Sequence, residues 1–346
     1  MGLSLIHICD AGERFTFDYD LPNENAYNET CASIGLVFWA DRMLQFGADR
    51  KYSDIMEKAL YNGIISGLSL SGDHFFYANH LASNNGIYQN KVQRNNRMRP
   101  DRQQWFRVSC CPPNLARLTA SIGGYIYSQN EKEIDQHLFI DSCAELQVAG
   151  EKVQILQKTE YPWDEKVHIT INPENPCEFV YAVRIPGWCG RAQVKVNGEE
   201  VDVYSQLEKG YLKLRRTWKS GDTIDILLPM DVQRMEAHPS VRMDCGKIAL
   251  TCGPIVYCLE EEDNGKDIFD IAIPKESKLY TEYRPDLLGG VRVIKGLARR
   301  RNRKDWEGYL YRTETDDTVE CEITAIPYYT WSNRTVGEME VWIRQS

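Results

Sequence analysis

The sequence predicts a multidomain protein in which a helical first third precedes two antiparallel β-sandwich domains. A chain of 346 residues is longer than one ordinary hydrophobic core requires, so two or three domains are expected. Apolar residues recur at helical spacing up to about residue 128, and short β-rich segments bounded by turn residues follow. We therefore expect a helical domain over 12–128, one β-sandwich over 129–233 and a second over 234–346.

Three segments of the first third have helical patterns. Residues 31–46 are apolar almost all round, which predicts a helix that is buried on most sides. Asn114 is a candidate N-cap for another helix, because Pro112 and Pro113 do not fit inside one. One apolar face at three- and four-residue steps predicts a further helix, formed by Tyr52, Ile55, Met56, Ala59, Leu60, Ile64, Ile65 and Leu68.

Two hairpins are predicted in the β-rich part. Residues 167–171 and 194–196 have strand patterns, and Asn197-Gly198 is a strong signal for a tight hairpin turn. Residues 211–214 and 224–228 flank a polar turn at 219–222, which predicts a second hairpin. Further strands are expected at 248–250, 255–259, 320–326 and 339–343.

Composition and charge limit the classes of partner. The net charge of -9 disfavours nucleic acid and anionic membrane surfaces, but it is compatible with a neutral substrate such as a sugar. No run approaches the roughly 20 apolar residues that span a bilayer. The basic run 299–304 is interpreted as a solvated loop.

The N-terminal residues indicate the origin of the first segment of the sequence, and the cysteines indicate the cellular compartment of the protein. Residues 1–11 are predicted to be a non-native scar, because LSLIHI resembles a translated sequencing adapter. The stretch lacks the basic region of a signal peptide, although a leader could precede the given sequence. The 11 cysteines are spread over the chain without a disulfide-scaffold pattern, which favours reduced thiols and a cytoplasmic location.

Two distant patches of thiols and carboxylate suggest a metal site. Glu29 and Cys31 are two residues apart and converge only at a helix start or a turn. Cys110 and Cys111 are adjacent before Pro112, where neighbours in a turn can reach one ion. Three thiolates and one carboxylate suit Zn²⁺, but the C-x-x-C pairs of common structural zinc sites are missing. The alternative is that the cysteines are small buried hydrophobic residues.

Several longer motifs are distributed along the chain: GERFTFDYDLPNENAYNETCAS, DHFFYANHL and WFRVSCCPPNLARL, followed by RIPGWC, KVNGE, RRTWKSGDTIDILLPM, IALTCGPIVYCLE and AIPYYTWSNR. Together they resemble glycoside hydrolase family 127, the β-L-arabinofuranosidase family, and the related family 146. The resemblance covers roughly residues 12–346. It implies the C-terminal part of an (α/α)6 barrel over 12–128, followed by the two sandwiches.

The resemblance also implies a role for each matching residue. Glu29, Cys31 and Cys111 resemble zinc ligands, and Cys110 resembles a residue that both binds zinc and attacks the anomeric carbon. Glu13, sixteen residues before Glu29, matches the general acid/base. Tyr77 matches a substrate-binding tyrosine of the active site.

These matches imply a zinc-dependent retaining hydrolase that releases L-arabinofuranose from oligosaccharides or glycopeptides. The intact parent is a possible homodimer. The helical part is shorter than twelve barrel helices require, so we expect an N-terminally truncated chain that is inactive alone. Two alternatives remain open: a non-catalytic carbohydrate-binding or structural sandwich protein with a structural zinc, and a glycosidase of the same fold that acts on another sugar. A thiol-exchange protein is a weaker third, because vicinal cysteines do not form a C-x-x-C motif.

Overall fold

The computed structural model describes residues 16–84, 97–313 and 317–346 as a mixed α/β protein with few helices and many strands. The helices are α1 Thr30–Leu44, α2 Arg50–Lys58, α3 Cys111–Ser121 and the single turn α4 Glu261–Asn264. Helix α2 continues through a π-helical segment, Ala59–Ile64, into a 3₁₀ turn, Ile65–Gly67. Within these ranges no helix combines the length and the apolar character that crossing a membrane requires.

The described residues contain 21 strands, numbered here in chain order. The first twelve are β1 Ala82–Ser83, β2 Tyr127–Gln129, β3 Glu133–Gln136, β4 Ser142–Val148, β5 Glu151–Thr159, β6 Lys166–Pro173, β7 Cys177–Arg184, β8 Gln193–Val196, β9 Glu199–Val201, β10 Leu207–Glu208, β11 Tyr211–Trp218 and β12 Asp222–Leu227. The others are β13 Val232–Met235, β14 Lys247–Cys252, β15 Ile255–Glu260, β16 Ile271–Ile273, β17 Tyr280–Arg284, β18 Val291–Arg301, β19 Thr318–Pro327, β20 Met339–Glu340 and β21 Trp342–Gln345.

The chain separates into two compact units. The first contains the described parts of 1–33, 61–112 and 231–346, and the second contains 34–60 and 113–230. The second unit has a five-stranded sheet in the order β10-β11-β7-β3-β2 and a six-stranded sheet in the order β4-β5-β6-β12-β8-β9. Gln136 donates to Gln157, which links strands of the two sheets through a buried hydrogen bond.

One of the two predicted hairpins is confirmed. β8 and β9 pair antiparallel, with Val196 opposite Glu199 across the two-residue turn. Asn197 and Gly198 in that turn have positive φ values of 52° and 84°, the backbone that asparagine and glycine tolerate best. The second hairpin prediction is wrong, because β11 pairs with β7 and β12 pairs with β6 and β8 in the other sheet. The polar residues at 219–222 correctly indicate a turn, but they do not indicate which strands pair with each other.

The strands of the first unit form one sheet that closes on itself. Pairing runs β14-β15-β19-β18-β16-β21 and returns to β14, and every pair is antiparallel except β16 with β21. Every residue of β15 is buried, and so are five of the six residues of β14. A strand that is buried on both faces does not alternate, so the sequence pattern alone cannot distinguish this closed barrel from the predicted sandwich.

Helix α1 differs from its prediction. Its buried apolar residues are Ile34, Val37, Ala40 and Leu44, which form one face at three- and four-residue steps. Trp39 on the same helix is 50% exposed. The helix is therefore buried along a stripe and not on most sides.

A buried charged network fixes α2 within the second unit. Arg184 on β7 is fully buried, and its Nη1 donates to Asp54 Oδ1 at 2.8 Å and to Glu57 Oε2 at 3.2 Å. Tyr161 Oη donates to Glu57 Oε1 at 2.7 Å. Removing one partner of such a network leaves the other charge buried without compensation.

We therefore expect Arg184→Met to lower the free energy of unfolding by about 3–5 kcal/mol. Arg215→Met on β11 is the control, since Arg215 is exposed. Urea unfolding followed by circular dichroism measures both variants. A loss within about 1 kcal/mol of the control would contradict a role for this network in stability.

A second buried charge lies in the first unit. Glu340 on β20 is 3% exposed, and Lys247 Nζ donates to its Oε1 at 3.1 Å. Burial raises the pKa of Glu340 to about 7, with a smaller contribution from Glu24, while Lys247 and Arg344 oppose the shift. The folded protein therefore retains a proton at Glu340 that the unfolded chain releases at lower pH.

Because the folded-state pKa is raised, the free energy of unfolding should fall as pH rises from about 4.5 to about 7, by about 3 kcal/mol at most from this group. Glu340→Gln should flatten this pH dependence. The exposed Glu320→Gln variant should leave it unchanged, and urea unfolding at several pH values checks both. Equal slopes in wild type and Glu340→Gln would refute the assignment.

Candidate metal centre

Glu29 and Cys31 lie where α1 begins. Glu29 immediately precedes the helix, and its carbonyl accepts hydrogen bonds from the amides of Ala32 and Ser33 at 3.0 and 3.1 Å. Glu29 also forms an antiparallel bridge with Ala78, which keeps its backbone extended. The two side chains therefore escape the separation of about 200° that two positions apart would have inside a helix.

Cys110 and Cys111 lie at the start of α3. The helix begins at Cys111, so Pro112 and Pro113 occupy its first turn, where a proline lacks no required hydrogen bond. The prediction that Asn114 caps this helix is therefore wrong by four residues, since Cys110 precedes the first helical residue. Cys110 lies just outside the helix and is partly exposed, whereas Cys111 is 1% exposed.

The four side chains converge on one point. One donor atom from each of Glu29, Cys31, Cys110 and Cys111 lies within 4.8 Å of the other three. Cys31 Sγ is 3.7 Å from Cys111 Sγ, and Cys110 Sγ is 4.0 Å from Cys111 Sγ. Cys110 Sγ is 3.5 Å from Glu29 Oε1. Residues that are 80 positions apart in sequence thus form one cluster.

These separations match the edges of a tetrahedral metal site. Zinc–sulfur distances of about 2.3 Å and zinc–oxygen distances of about 2.0 Å give sulfur–sulfur edges of about 3.8 Å and sulfur–oxygen edges of about 3.5 Å. The observed 3.7 and 3.5 Å agree with these edges, and the 4.0 Å edge is slightly longer. These three edges and the donor set of three sulfurs and one carboxylate oxygen are therefore compatible with Zn²⁺.

The four acidic side chains of the cluster ionise more easily when a cation is bound between them. Burial raises the pKa of the Cys110 thiol, the nearby Cys31 and Glu29 raise it further, and the Tyr77 hydroxyl opposes the shift. The hydrogen bond with Cys31 and burial together raise the pKa of Cys111 far above its ordinary value. Four acidic groups in one small volume oppose each other's ionisation, and a divalent cation reverses that penalty. The N-termini of α1 and α3, both at the cluster, also favour negative charge.

Tyr77 completes the first layer around Cys110. Its hydroxyl oxygen is 3.3 Å from Cys110 Sγ, close enough for the hydroxyl to donate to a thiolate. Burial and the contact with Cys110 raise the pKa of Tyr77, so the phenol keeps its proton at neutral pH. The guanidinium of Arg97 lies 4.6 Å from the centre of the Tyr77 ring and donates to Tyr27 Oη at 2.8 Å.

Two residues that the sequence does not predict as site residues, Asn79 and Gly67, hold the start of α1 in place. Asn79 is 1% exposed, and its Nδ2 donates to Asn28 O at 3.0 Å and to Thr30 Oγ1 at 3.1 Å. Its Oδ1 accepts from Ser66 Oγ at 2.8 Å. A Cβ atom at Gly67 would lie 2.6 Å from Thr30 Oγ1, so only glycine fits beside this helix start. Asn79 and Gly67 thus fix the two residues that flank Glu29.

Arg102 holds the segment behind Tyr77. Its Nε and Nη2 donate to Ser66 O at 3.1 and 2.8 Å, and Nη2 also donates to Tyr329 O at 3.2 Å. The guanidinium lies 4.4 Å from the ring centre of Phe76, which stacks on Trp331 at 4.7 Å. The sequence gives no sign of this role, because Arg102 lies in a polar stretch that resembles a surface loop.

The structure brings together five of the six predicted site residues. Glu29, Cys31, Tyr77, Cys110 and Cys111 form one cluster. Glu13 lies outside the described residues.

The three parts of the chain match models of one family in order. Residues 2–124 match the model described as "Beta-L-arabinofuranosidase, GH127 catalytic domain". Residues 133–230 match its middle domain, and residues 232–344 match its C-terminal domain. The chain belongs to glycoside hydrolase family 127.

Relatives of this family agree over nearly the whole chain. A non-reducing end β-L-arabinofuranosidase of Bifidobacterium longum subsp. longum is 35% identical over 348 residues, 96% of this chain and 51% of the relative. The solved structure of a family 127 β-L-arabinofuranosidase from Geobacillus stearothermophilus T6 is 49% identical, with a TM-score of 0.92 over 96% of this chain and 52% of that one. A family 127 β-arabinofuranosidase structure is 35% identical, with a TM-score of 0.86 over 99% and 53%. The chain thus spans about half the length of these family members.

Asn79→Ala should weaken Zn²⁺ binding by about 10–100-fold, the usual cost of losing an outer partner of a metal ligand. The loss follows because the start of α1 loses the amide that fixes Asn28 and Thr30. Competition with a chromophoric chelator measures the affinity on the 346-residue chain.

Asn175→Ala is the matched control, since the Asn175 amide donates to Glu151 at the surface. It should leave the affinity unchanged. If Asn79→Ala lowers the unfolding free energy but leaves the affinity at the wild-type value, Asn79 stabilises the fold without positioning the ligands.

Proposed function

We propose that the full-length protein is a retaining glycoside hydrolase that releases L-arabinofuranose from β-L-arabinofuranosides. The observation that carries this proposal is the cluster of Glu29, Cys31, Cys110 and Cys111, with the Tyr77 hydroxyl 3.3 Å from Cys110 Sγ. Membership of family 127 and the names of the relatives support the sugar and the linkage. Because the chain spans about half of those relatives, the proposal concerns the whole protein.

The four clustered residues are the proposed zinc ligands. Bound there, Zn²⁺ supplies the positive charge that keeps the thiols deprotonated at neutral pH. The match of the separations to tetrahedral edges supports zinc, since carboxylate-only sites suit harder ions.

Cys110 is the proposed nucleophile. It is the first of the vicinal pair, lies outside α3 and is partly exposed, whereas Cys111 is buried. The Cys110 sulfur attacks the anomeric carbon, a carbon–sulfur bond forms, and the bond to the leaving oxygen breaks. Tyr77 orients the sulfur by donating a hydrogen bond, which lowers the ordering required at the transition state.

Glu13 is the proposed general acid/base. A retaining mechanism requires a group that protonates the leaving oxygen and then removes a proton from the attacking water. Its position sixteen residues before Glu29 matches the family pattern.

The proposed architecture follows the family. We infer that the helical part over 12–128 is the C-terminal part of an (α/α)6 barrel and that 129–233 and 234–346 are separate β domains. The order in which the three family models match supports this division.

A structural zinc in a non-catalytic carbohydrate-binding protein is the second candidate. The observation that favours it is the number of donors, since four protein ligands close a site in the way structural zinc sites are closed. The two candidates differ in whether a ligand sulfur reacts with the sugar.

Covalent trapping on the full-length protein distinguishes the two candidates. A Glu13→Gln variant treated with an aryl β-L-arabinofuranoside should accumulate an adduct of one anhydropentose on Cys110, because the second step lacks its base. Intact-mass and peptide-mass spectrometry after acid quench identify the modified residue.

Activity measurements complete the test. Cys110→Ser should lose at least about 1,000-fold in kcat, whereas Cys143→Ser, an exposed cysteine outside the cluster, should retain wild-type activity. Removal of zinc by a chelator should abolish activity, and added Zn²⁺ should restore it. An active Cys110→Ser enzyme, or an adduct on another residue, would overturn the assignment.

A further inference from the structure

A small cavity lies in the first unit beside the end of β18. Asp270, Arg301, Arg303 and Trp306 line it, and its volume is about 280 Å³. Arg301 is the last residue of β18, Trp306 ends the 3₁₀ turn Lys304–Trp306, and Asp270 ends the turn Ile268–Asp270. The basic run 299–304, interpreted from sequence as a solvated loop, thus forms a wall of a cavity.

Hydrogen bonds fix the loop that carries Trp306. Asn302 Nδ2 donates to Asp317 Oδ1 at 3.1 Å, and Asn302 Oδ1 accepts from the Lys304 amide at 3.1 Å. Arg303 pairs with Asp267 at 2.8 Å and also with Asp270. The guanidinium of Arg312 lies 4.4 Å from the Trp306 ring centre. The walls of the cavity are therefore positioned before any ligand arrives.

Two donors in the cavity wall have no protein acceptor among the described residues. The Trp306 indole Nε1 is buried and makes no hydrogen bond. Arg301 forms none of the ion pairs or hydrogen bonds found within the described ranges, although it carries a full positive charge. A buried donor without an acceptor is costly unless a ligand satisfies it. The Trp306 indole therefore requires an acceptor, and the exposed Arg301 guanidinium favours an acceptor that carries negative charge.

Asp270 restricts the kinds of anionic ligand that the cavity can bind. A carboxylate has room for several hydrogen bonds, so Asp270 can accept from a ligand hydroxyl while it pairs with Arg303. A carboxylate in the wall repels a multiply charged phosphate, but it suits a ligand that has one negative charge and several hydroxyls. The cavity volume is at the lower end of small-molecule sites, which suits one monosaccharide unit.

We propose that this cavity binds a uronate unit of an acidic saccharide. The Arg301 guanidinium binds the carboxylate, the Trp306 N–H donates to a ring substituent, and Asp270 accepts from a hydroxyl. The cluster at Cys110 takes no part, so this proposal is independent of the hydrolase assignment.

Titration of the 346-residue chain with D-galacturonate, followed by calorimetry or ligand-observed NMR, tests the proposal. D-galactose, which lacks the carboxylate, should bind about tenfold more weakly or not measurably, and Arg301→Gln should reduce the galacturonate affinity by a similar factor. Trp306→Phe, which keeps an aromatic wall but removes the N–H donor, should weaken binding by a few-fold. Higher salt should weaken the wild-type interaction.

Control variants and control ligands distinguish the ways in which the proposed uronate site could be wrong. Arg215→Gln and Trp39→Phe alter exposed residues of the second unit and should bind galacturonate as wild type does. Cys111→Ser, which disrupts the metal cluster, should also leave binding unchanged. Equal binding of galactose would overturn the role of the carboxylate, and equal binding of acetate or inorganic phosphate would reduce the cavity to a simple anion site. Unchanged binding in Arg301→Gln would reject the site altogether.

Discussion

Negative charge confined to a small, half-buried volume is the constraint on which the rest of the site depends. Glu29, Cys31, Cys110 and Cys111 place their donor atoms within 4.8 Å of one another, and each ionised group raises the cost of ionising the next. A divalent cation would remove this cost and leave a partly exposed thiolate at Cys110. The acidity and the position of that sulfur would then have one common cause.

The surrounding structure satisfies this constraint by placing two helix starts at one point. Residues immediately before α1 and α3 or at their first two positions have more freedom of direction than residues inside a helix, so neighbours in sequence can reach the same ion. Both helix N-termini also direct positive partial charge toward the thiols. Asn79 and Gly67 fix the first helix start, and Arg102 fixes the segment that carries Tyr77, so the ligands are positioned by buried polar contacts.

The sequence predicts the ligands better than it predicts their supports. Ligand types and motif spacing are local properties, so the proposed ligands Glu29, Cys31, Cys110 and Cys111 could be predicted once the motifs were matched to the family. Asn79 and Arg102 act through backbone atoms distant in sequence, which no local pattern encodes. The same limit explains the second hairpin, where a turn signal at 219–222 correctly marks a reversal but cannot specify that β11 and β12 join different sheets. The cavity at Trp306 combines residues of 301–306 with the distant Asp270, so the basic run 299–304 resembles a solvated loop when only the sequence is considered.

The most direct test of the central claim is X-ray absorption at the zinc edge on the purified 346-residue chain after reconstitution with Zn²⁺. We expect one ion per chain with three sulfur ligands at about 2.3 Å and one oxygen at about 2.0 Å. Much less than one ion per chain, or a shell of nitrogen and oxygen ligands without sulfur, would contradict the proposed metal site.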